Sequence, residues 1–138
     1  MYERIARGGA GAIITGLCSV APGGCAINNM NMIHTDDQIA AFKKIPPYAH
    51  RHNTPVFMQL AHAGRQTSKL LAGGKTVSPS AIRDKVFLNK PRALTASDIE
   101  GLIHGFARPP GAPRRPGLTG SSFTVPMAIC YPNSYPPI

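Results

Sequence analysis

A chain of 138 residues is long enough for one ordinary domain with its own core. Its 14 Gly and 14 Pro make about a fifth of the residues, above average usage but short of the low-complexity range. The net charge of +9 makes polyanions the first partners to consider, yet Lys and Arg lie singly or in pairs such as Lys43-Lys44 and Arg114-Arg115 with no aromatic-interleaved stripe, which argues against nucleic acid.

The opening "MYERIARGGA" predicts a short helix ended by the Gly8-Gly9 pair. "AGAIIT" carries apolar residues on both faces and predicts a buried parallel strand over 11–15. In "NMIHTDDQIAAFKKI", Thr35 or Asp36 serves as N-cap and Ile39, Phe42 and Ile45 follow at helical spacing, a helix over 36–45 that Pro46-Pro47 cut. "TPVFMQLAHAG" predicts a second strand over 56–60, apolar nearly throughout, with Gln59 as the exception and Gly64 marking the turn out. "LTASDIEGLIHGFA" has Thr95 or Ser97 as cap, acids in its first turn, and Ile99, Leu102, Ile103 and Phe106 as one face of a helix over 95–107. This alternation is that of an α/β protein with a parallel sheet, and two strands are too few to close it. Beyond Ala107, "RPPGAPRRPGLTGSS" removes the backbone donors that regular structure needs, so 108–138 is predicted to be irregular.

Cys18, Cys25 and Cys130 are an odd number at spacings that match no zinc pattern, which predicts free thiols in a reducing, cytoplasmic setting and no metal site. No apolar run approaches membrane-span length, so no membrane partner is expected.

Gln59 carries the strongest chemical signal, because an unsatisfied amide in a buried strand costs ~1–3 kcal/mol. It is either a structural amide bonded to a neighbouring loop or a ligand contact at the carboxyl end of a parallel strand, where an amide can donate and accept at once. His62 and Arg65 read as loop anchors, and Cys18 as a small buried thiol. His50 and His52 flank Arg51 without the carboxylate or thiol company of a metal site. "RGGAG" precedes a strand instead of following one, which rules out a dinucleotide fingerprint.

Taken in order and at their separations, "ARGGAGAIITG", "TDDQIAAF", "QLAHAGR", "VSPSAI" and "RALTASDIEGLIHGFA" resemble the Old Yellow Enzyme family of FMN-dependent NADH:flavin oxidoreductases, in the branch near 2,4-dienoyl-CoA reductase and xenobiotic reductases. The resemblance covers about residues 2–107, with "QLAHAGR" and the later "PSAI" its specific elements. It implies a (β/α)8 TIM barrel, here represented by its early strands and helices, with FMN at the carboxyl-end mouth, NAD(P)H as reductant and a small-molecule activated alkene as substrate. It also implies that Gln59 hydrogen-bonds the flavin pyrimidine edge and that the backbone at Leu17, just past the strand, lies beside the ring.

In that family the helix ending "FA" continues with a motif from which this chain departs at Arg108. Read one base earlier, the tail makes the motif available. The Met127 codon ends in G, so Ala128 becomes Gly; the Cys130 codon ends in T or C, so Tyr131 becomes Leu. With permitted synonymous codons "TVPMAICYPNSYPPI" reads "HGAHGYLLSQFLSPH". The expectation is one base lost near the Arg108 codon, dividing the chain into 1–107, the amino-terminal part of an FMN-binding barrel, and 108–138, an out-of-frame tail. The family's two substrate histidines then stand here as Thr124 and Met127 and a nearby tyrosine as Ile129, so no catalytic residue remains and the chain as given is expected to be inactive. The first barrel strand has no counterpart before Met1, so the start is also expected to be incomplete. The alternative is a basic, non-enzymatic module for nucleic acid or another polyanion, marked by steeply salt-dependent binding.

Overall fold

The computed structural model describes residues 1–107 and the backbone of the strand Thr124–Ala128. Helix α1 (Tyr2–Arg7) leads into strand β1 (Ile13–Ser19), which takes the centre of a parallel sheet. Strand β2 (Asn31–Met32), helix α2 (Asp36–Phe42), helix α3 (Pro46–His50) and strand β3 (Val56–His62) follow. Two-residue strands β4 (Val77–Ser78) and β5 (Arg92–Ala93) pair with each other, helix α4 (Ala96–Ala107) comes next, and strand β6 (Thr124–Ala128) joins the main sheet in the order β2-β1-β3-β6. All of these pairings are parallel, as the helix-strand alternation predicts.

The pairing of β1 with β3 sorts their side chains onto two faces, because residues directly opposite one another share a face. Ile13 with Val56 and Cys18 with Leu60 form the face turned toward the helices. Leu60 and Cys18 are 2% and 0% exposed and form a core with Val20, Ile33 and Ile39, against which Phe42, Met58 and Phe106 pack. A second cluster, Ala6, Ile13 and Ala49 with Tyr2 and Val56, seals α1 and α3 against the start of the sheet. Ile14 with Phe57, Leu17 with Gln59 and Ser19 with Ala61 form the other face.

Strict alternation would not place Leu17 with Gln59. The register shifts between Ile14 and Leu17, so that Thr15 and Gly16 together oppose Met58: a β-bulge that inverts the phase of the rest of β1. Both strands run further than predicted: β1 to Ser19, since a bulged strand continues past Gly16, which looked like its end, and β3 to His62, keeping pace with the lengthened β1.

Three other expectations are corrected. Helix α2 stops at Phe42, and Pro46-Pro47 begin α3 instead of ending structure, because their fixed φ suits the first turn and the missing N–H is needed least there. On α4, only Leu102 and Phe106 of the predicted face are half-buried, while Ile99 is exposed and Ile103 is 61% exposed. The helix meets the core through Phe106 and through Gly105, where a Cβ would lie 3.2 Å from the Val20 carbonyl oxygen. Within the tail expected to be irregular, Thr124–Ala128 is a strand along β3, whose outer edge offers backbone donors and acceptors to any extended segment. The rest of 108–138 lies outside the described residues.

Both predicted caps form. Gln38 Oε1 accepts from the backbone N–H of His34 and Thr35 at 2.9 and 3.2 Å ahead of α2. Ahead of α4, Thr95 Oγ1 accepts from Asp98 N at 3.2 Å while Asp98 Oδ2 accepts from Thr95 N at 2.8 Å. Arg92 holds that carboxylate with two guanidinium nitrogens at 2.6 and 3.0 Å and keeps it well below the ordinary carboxyl range.

The loop after β1 closes over the end of β3 at Gly24, whose carbonyl accepts from Ala63 N at 2.9 Å. A Cβ at Gly24 would lie 2.5 Å from Ser19 Oγ and 2.6 Å from His62 Cδ2, both buried. Gly24→Ala is therefore expected to lower stability by about 1–3 kcal/mol, measured by urea unfolding, because neither neighbour has room to withdraw.

Candidate functional site

The carboxyl ends of parallel strands are where α/β folds place their sites, since the loops that follow can converge on a ligand there. In this chain Leu17, in the second half of β1, and Gln59, at the middle of β3, sit as direct cross-strand partners on the face away from the helices, so Gln59 lies three residues short of the strand end at which the sequence predicts it. The sequence placed Leu17 just beyond the strand. It lies inside it, and the bulge brings it beside Gln59.

Both side chains are half-buried. Ile14, next on the same face, is 61% exposed, and a Cβ on the exposed Gly16 would meet nothing within 4 Å. This face therefore combines apolar side chains, an amide that can donate and accept, and open room beside a glycine, which suits a planar, partly polar ring such as a flavin. The backbone register of β6 places Thr124 opposite Met58 and Met127 opposite Ala61, flanking Gln59, itself opposite Val125. Ile129 lies outside the described residues.

The other candidates have partners within the described fold. His62 is buried, and its Nδ1 accepts from the backbone N–H of Gly64 at 3.1 Å, which fixes the tautomer with the proton on Nε2. Burial pushes its pKa down from the ordinary 6.5. A histidine kept neutral in the fold but free to protonate when unfolded stabilises the fold above its ordinary pKa and loses that contribution as pH falls below it. The urea midpoint is thus expected to drop between pH 7 and pH 5, and His62→Gln to flatten that part of the profile.

Arg65 Nε faces Asp84 Oδ2 at 3.5 Å, and Asp84 Oδ1 accepts from the N–H groups of Val86 and Phe87 at 2.9 and 2.8 Å. Asn89 Nδ2 donates to the Thr67 carbonyl at 2.7 Å, and Thr67 Oγ1 to the Cys25 carbonyl at 2.7 Å. The loop around Asp84 is in this way tied to the chain just beyond β3. Cys18 is buried against Thr15 and Gly16, and burial raises its thiol pKa, as befits a core residue. Arg51 lies over the Tyr48 ring at 5.5 Å, and among the described residues no three His, Cys, Asp or Glu side chains gather as a metal site would require.

Sequence reasoning missed Asp84 and Thr15. Thr15 was visible as the one polar residue in "AGAIIT", but nothing local told that its hydroxyl reaches β3; Gln59 N donates to Thr15 Oγ1 at 3.2 Å.

Comparison with known proteins bears on the chain as a whole. The sequence profile described as the NADH:flavin oxidoreductase / NADH oxidase family matches residues 1–114. The chain is 34% identical over 107 residues to an NADH oxidase of Thermoanaerobacter brockii, an alignment covering 76% of this chain and 16% of that protein. It is 34% identical over 108 residues to an NADPH dehydrogenase of Listeria monocytogenes, covering 78% of this chain and 31% of that one. Among solved structures it resembles an Old Yellow Enzyme from Pichia sp. AKU4542 with 31% identity and a TM-score of 0.66, covering 76% of this chain and 30% of that one. Morphinone reductase in complex with tetrahydroNAD superposes with a TM-score of 0.67 at 25% identity, covering 76% of this chain and 33% of that one. The chain thus spans about a third or less of the length of these relatives, and its sheet and helices are an early portion of their (β/α)8 barrel.

Proposed function

Because this chain belongs to the NADH:flavin oxidoreductase / NADH oxidase family, we propose that residues 1–107 supply the Gln59 and Leu17 side of an FMN site in an NAD(P)H-dependent ene-reductase. The observation that carries the reading is the cross-strand pairing of Leu17 with Gln59, both half-buried, on the sheet face away from the helices. Gln59 is placed to donate to and accept from the pyrimidine edge of a flavin ring, and the Leu17 backbone to border the ring. FMN, when bound, supplies hydride transfer from NAD(P)H to the β-carbon of a small activated alkene. The protein's part is to bind and orient. In this reading 108–138 is an out-of-frame tail, and Thr124, Met127 and Ile129 stand where the restored frame provides the groups that hold the substrate's oxygen. No described helix is long and apolar enough to cross a membrane, and free Cys18 and Cys25 suit a reducing cytoplasmic setting.

The test uses the isotopically labelled chain titrated with lumiflavin, the flavin ring without its phosphate tail, and with FMN. Binding is expected to be weaker than micromolar, since flavin affinity in such barrels draws on several loops and a late phosphate site. Amide signals of Leu17 and Gln59 are expected to shift most, and Gln59→Ala to weaken binding about twofold to tenfold per hydrogen bond lost. Shifts confined to other faces of the sheet, or unaltered affinity in Gln59→Ala, would remove the basis of this assignment.

A further inference from the structure

We propose that Thr15 is a positioning residue for the flavin face: its hydroxyl holds the β1 bulge that turns Leu17 and Gln59 to the same side. This rests on the reading of Leu17 and Gln59 as flavin contacts. An unbulged β1 would alternate from Ile13, placing Leu17 on the helix side with Ile13 and Val56 and leaving Cys18 to oppose the open face. The extra residue reverses this assignment, so whatever fixes the bulge also fixes which side chain stands next to Gln59.

Bulges interrupt the ladder, and the groups they displace need other partners. Thr15, only 4% exposed, provides them. Its Oγ1 lies 2.9 Å from the Gly16 carbonyl oxygen, 3.2 Å from Gln59 N and 3.8 Å from Cys18 Sγ. A hydroxyl has one proton and two lone pairs. The carbonyl can only accept, so it takes the proton. The lone pairs then receive the Gln59 N–H and face the Cys18 thiol, which also reaches the Gly16 carbonyl at 3.4 Å. One side chain thus satisfies the bulge's own carbonyl and ties it to the backbone of the residue whose amide is assigned to the ring. Thr15 acts on the ligand only through Leu17 and Gln59. Valine has the same shape without the hydroxyl, so Thr15→Val removes the tie and keeps the volume, while Thr15→Ser keeps the tie.

The experiment measures amide hydrogen exchange and side-chain contacts by NMR on the full chain, first without ligand. In Thr15→Val the Gln59 N–H is expected to exchange about threefold to tenfold faster, and the Leu17 to Gln59 side-chain contact to fade. The Ile13 N–H, which donates to the Pro55 carbonyl at 2.9 Å, should keep its rate. Thr15→Ser should match the native chain in both respects, and Thr15→Ala serves the same comparison if the valine variant does not fold. An unchanged Gln59 rate and contact in the valine or alanine variant would overturn the proposal, as would an acceleration shared equally by all amides of β1 and β3. Lumiflavin titration then separates this proposal from the reading beneath it. If native shifts at Leu17 and Gln59 weaken in Thr15→Val and return in Thr15→Ser, both stand. If the native chain shows no such shifts, the flavin reading fails while the exchange data still decide whether Thr15 holds the bulge.

Discussion

Asp84→Ala is expected to lower the unfolding free energy by about 3 kcal/mol, among the largest effects of any single substitution in this chain. Asp84 is 4% exposed and stands at the junction of three donors: the Val86 and Phe87 N–H groups on Oδ1 and the Arg65 guanidinium beside Oδ2. Alanine leaves all three without the acceptor, and Arg65, with a side chain only 16% exposed, can regain water in part. The consequence is local as well as global. Val86 and Leu88 are exposed and Leu88 has a left-handed φ of 54°, so the loop has little packing to hold its shape once the carboxylate is gone. Asp84→Asn retains an acceptor for the two amides and loses the ion pair, and is expected to cost about 1 kcal/mol. Urea unfolding gives the energies, and hydrogen exchange at Val86 and Phe87 shows where the loss falls. Equal costs for Asn and Ala would mean that the charge alone matters and that the two amide bonds contribute nothing.

What the sequence disclosed and what it withheld follow a physical division. The strands at Ile13–Ser19 and Val56–His62 were legible because a parallel strand with apolar residues on both faces reads as a near-continuous apolar run, and Gln59 stood out against that run. The caps at Thr35 and Thr95 were legible because their partners lie within one helical turn. The end of β1 was not, since Gly16 reads as a breaker and only pairing with β3 shows that the chain bulges and carries on. Nor was the Asp84 clamp, whose partner Arg65 lies on the far side of a long loop. The exposed Ile99 and Ile103 mark the limit of periodicity: the helical spacing is real, but it does not say which part of an apolar stripe meets the sheet. The proposed flavin role of Gln59 rests on the joint order of several motifs, because an amide in a strand admits a structural reading equally well.

Resequencing the source locus across the Arg108 codon is expected to reveal one additional base. A gene carrying it, with the barrel strands that flank this segment in the relatives, is expected to encode a yellow protein that oxidises NAD(P)H. The character of the sequence changes abruptly at one point. Acidic residues are scattered up to Glu100 and then cease, more than half of the prolines follow Arg108, and the neighbouring frame turns Ala128 into Gly and Tyr131 into Leu with no freedom of codon choice. The strand at Thr124–Ala128 does not oppose this account, since a five-residue segment paired along an open edge is no packed domain. In the restored protein Gln59→Ala should weaken flavin binding or change the flavin's redox behaviour. Replacing the group restored at position 124 should instead slow alkene reduction while leaving flavin reduction by NAD(P)H nearly intact, because it removes a donor to the substrate's oxygen and none to the flavin. Stopped-flow absorbance times the two half-reactions separately, as flavin colour is lost on adding NAD(P)H and returns on adding an enone. An unaltered locus would end the frameshift account. Equal slowing of one half-reaction by both substitutions, with flavin affinity untouched, would instead spare the frame and refute the division of roles between Gln59 and position 124.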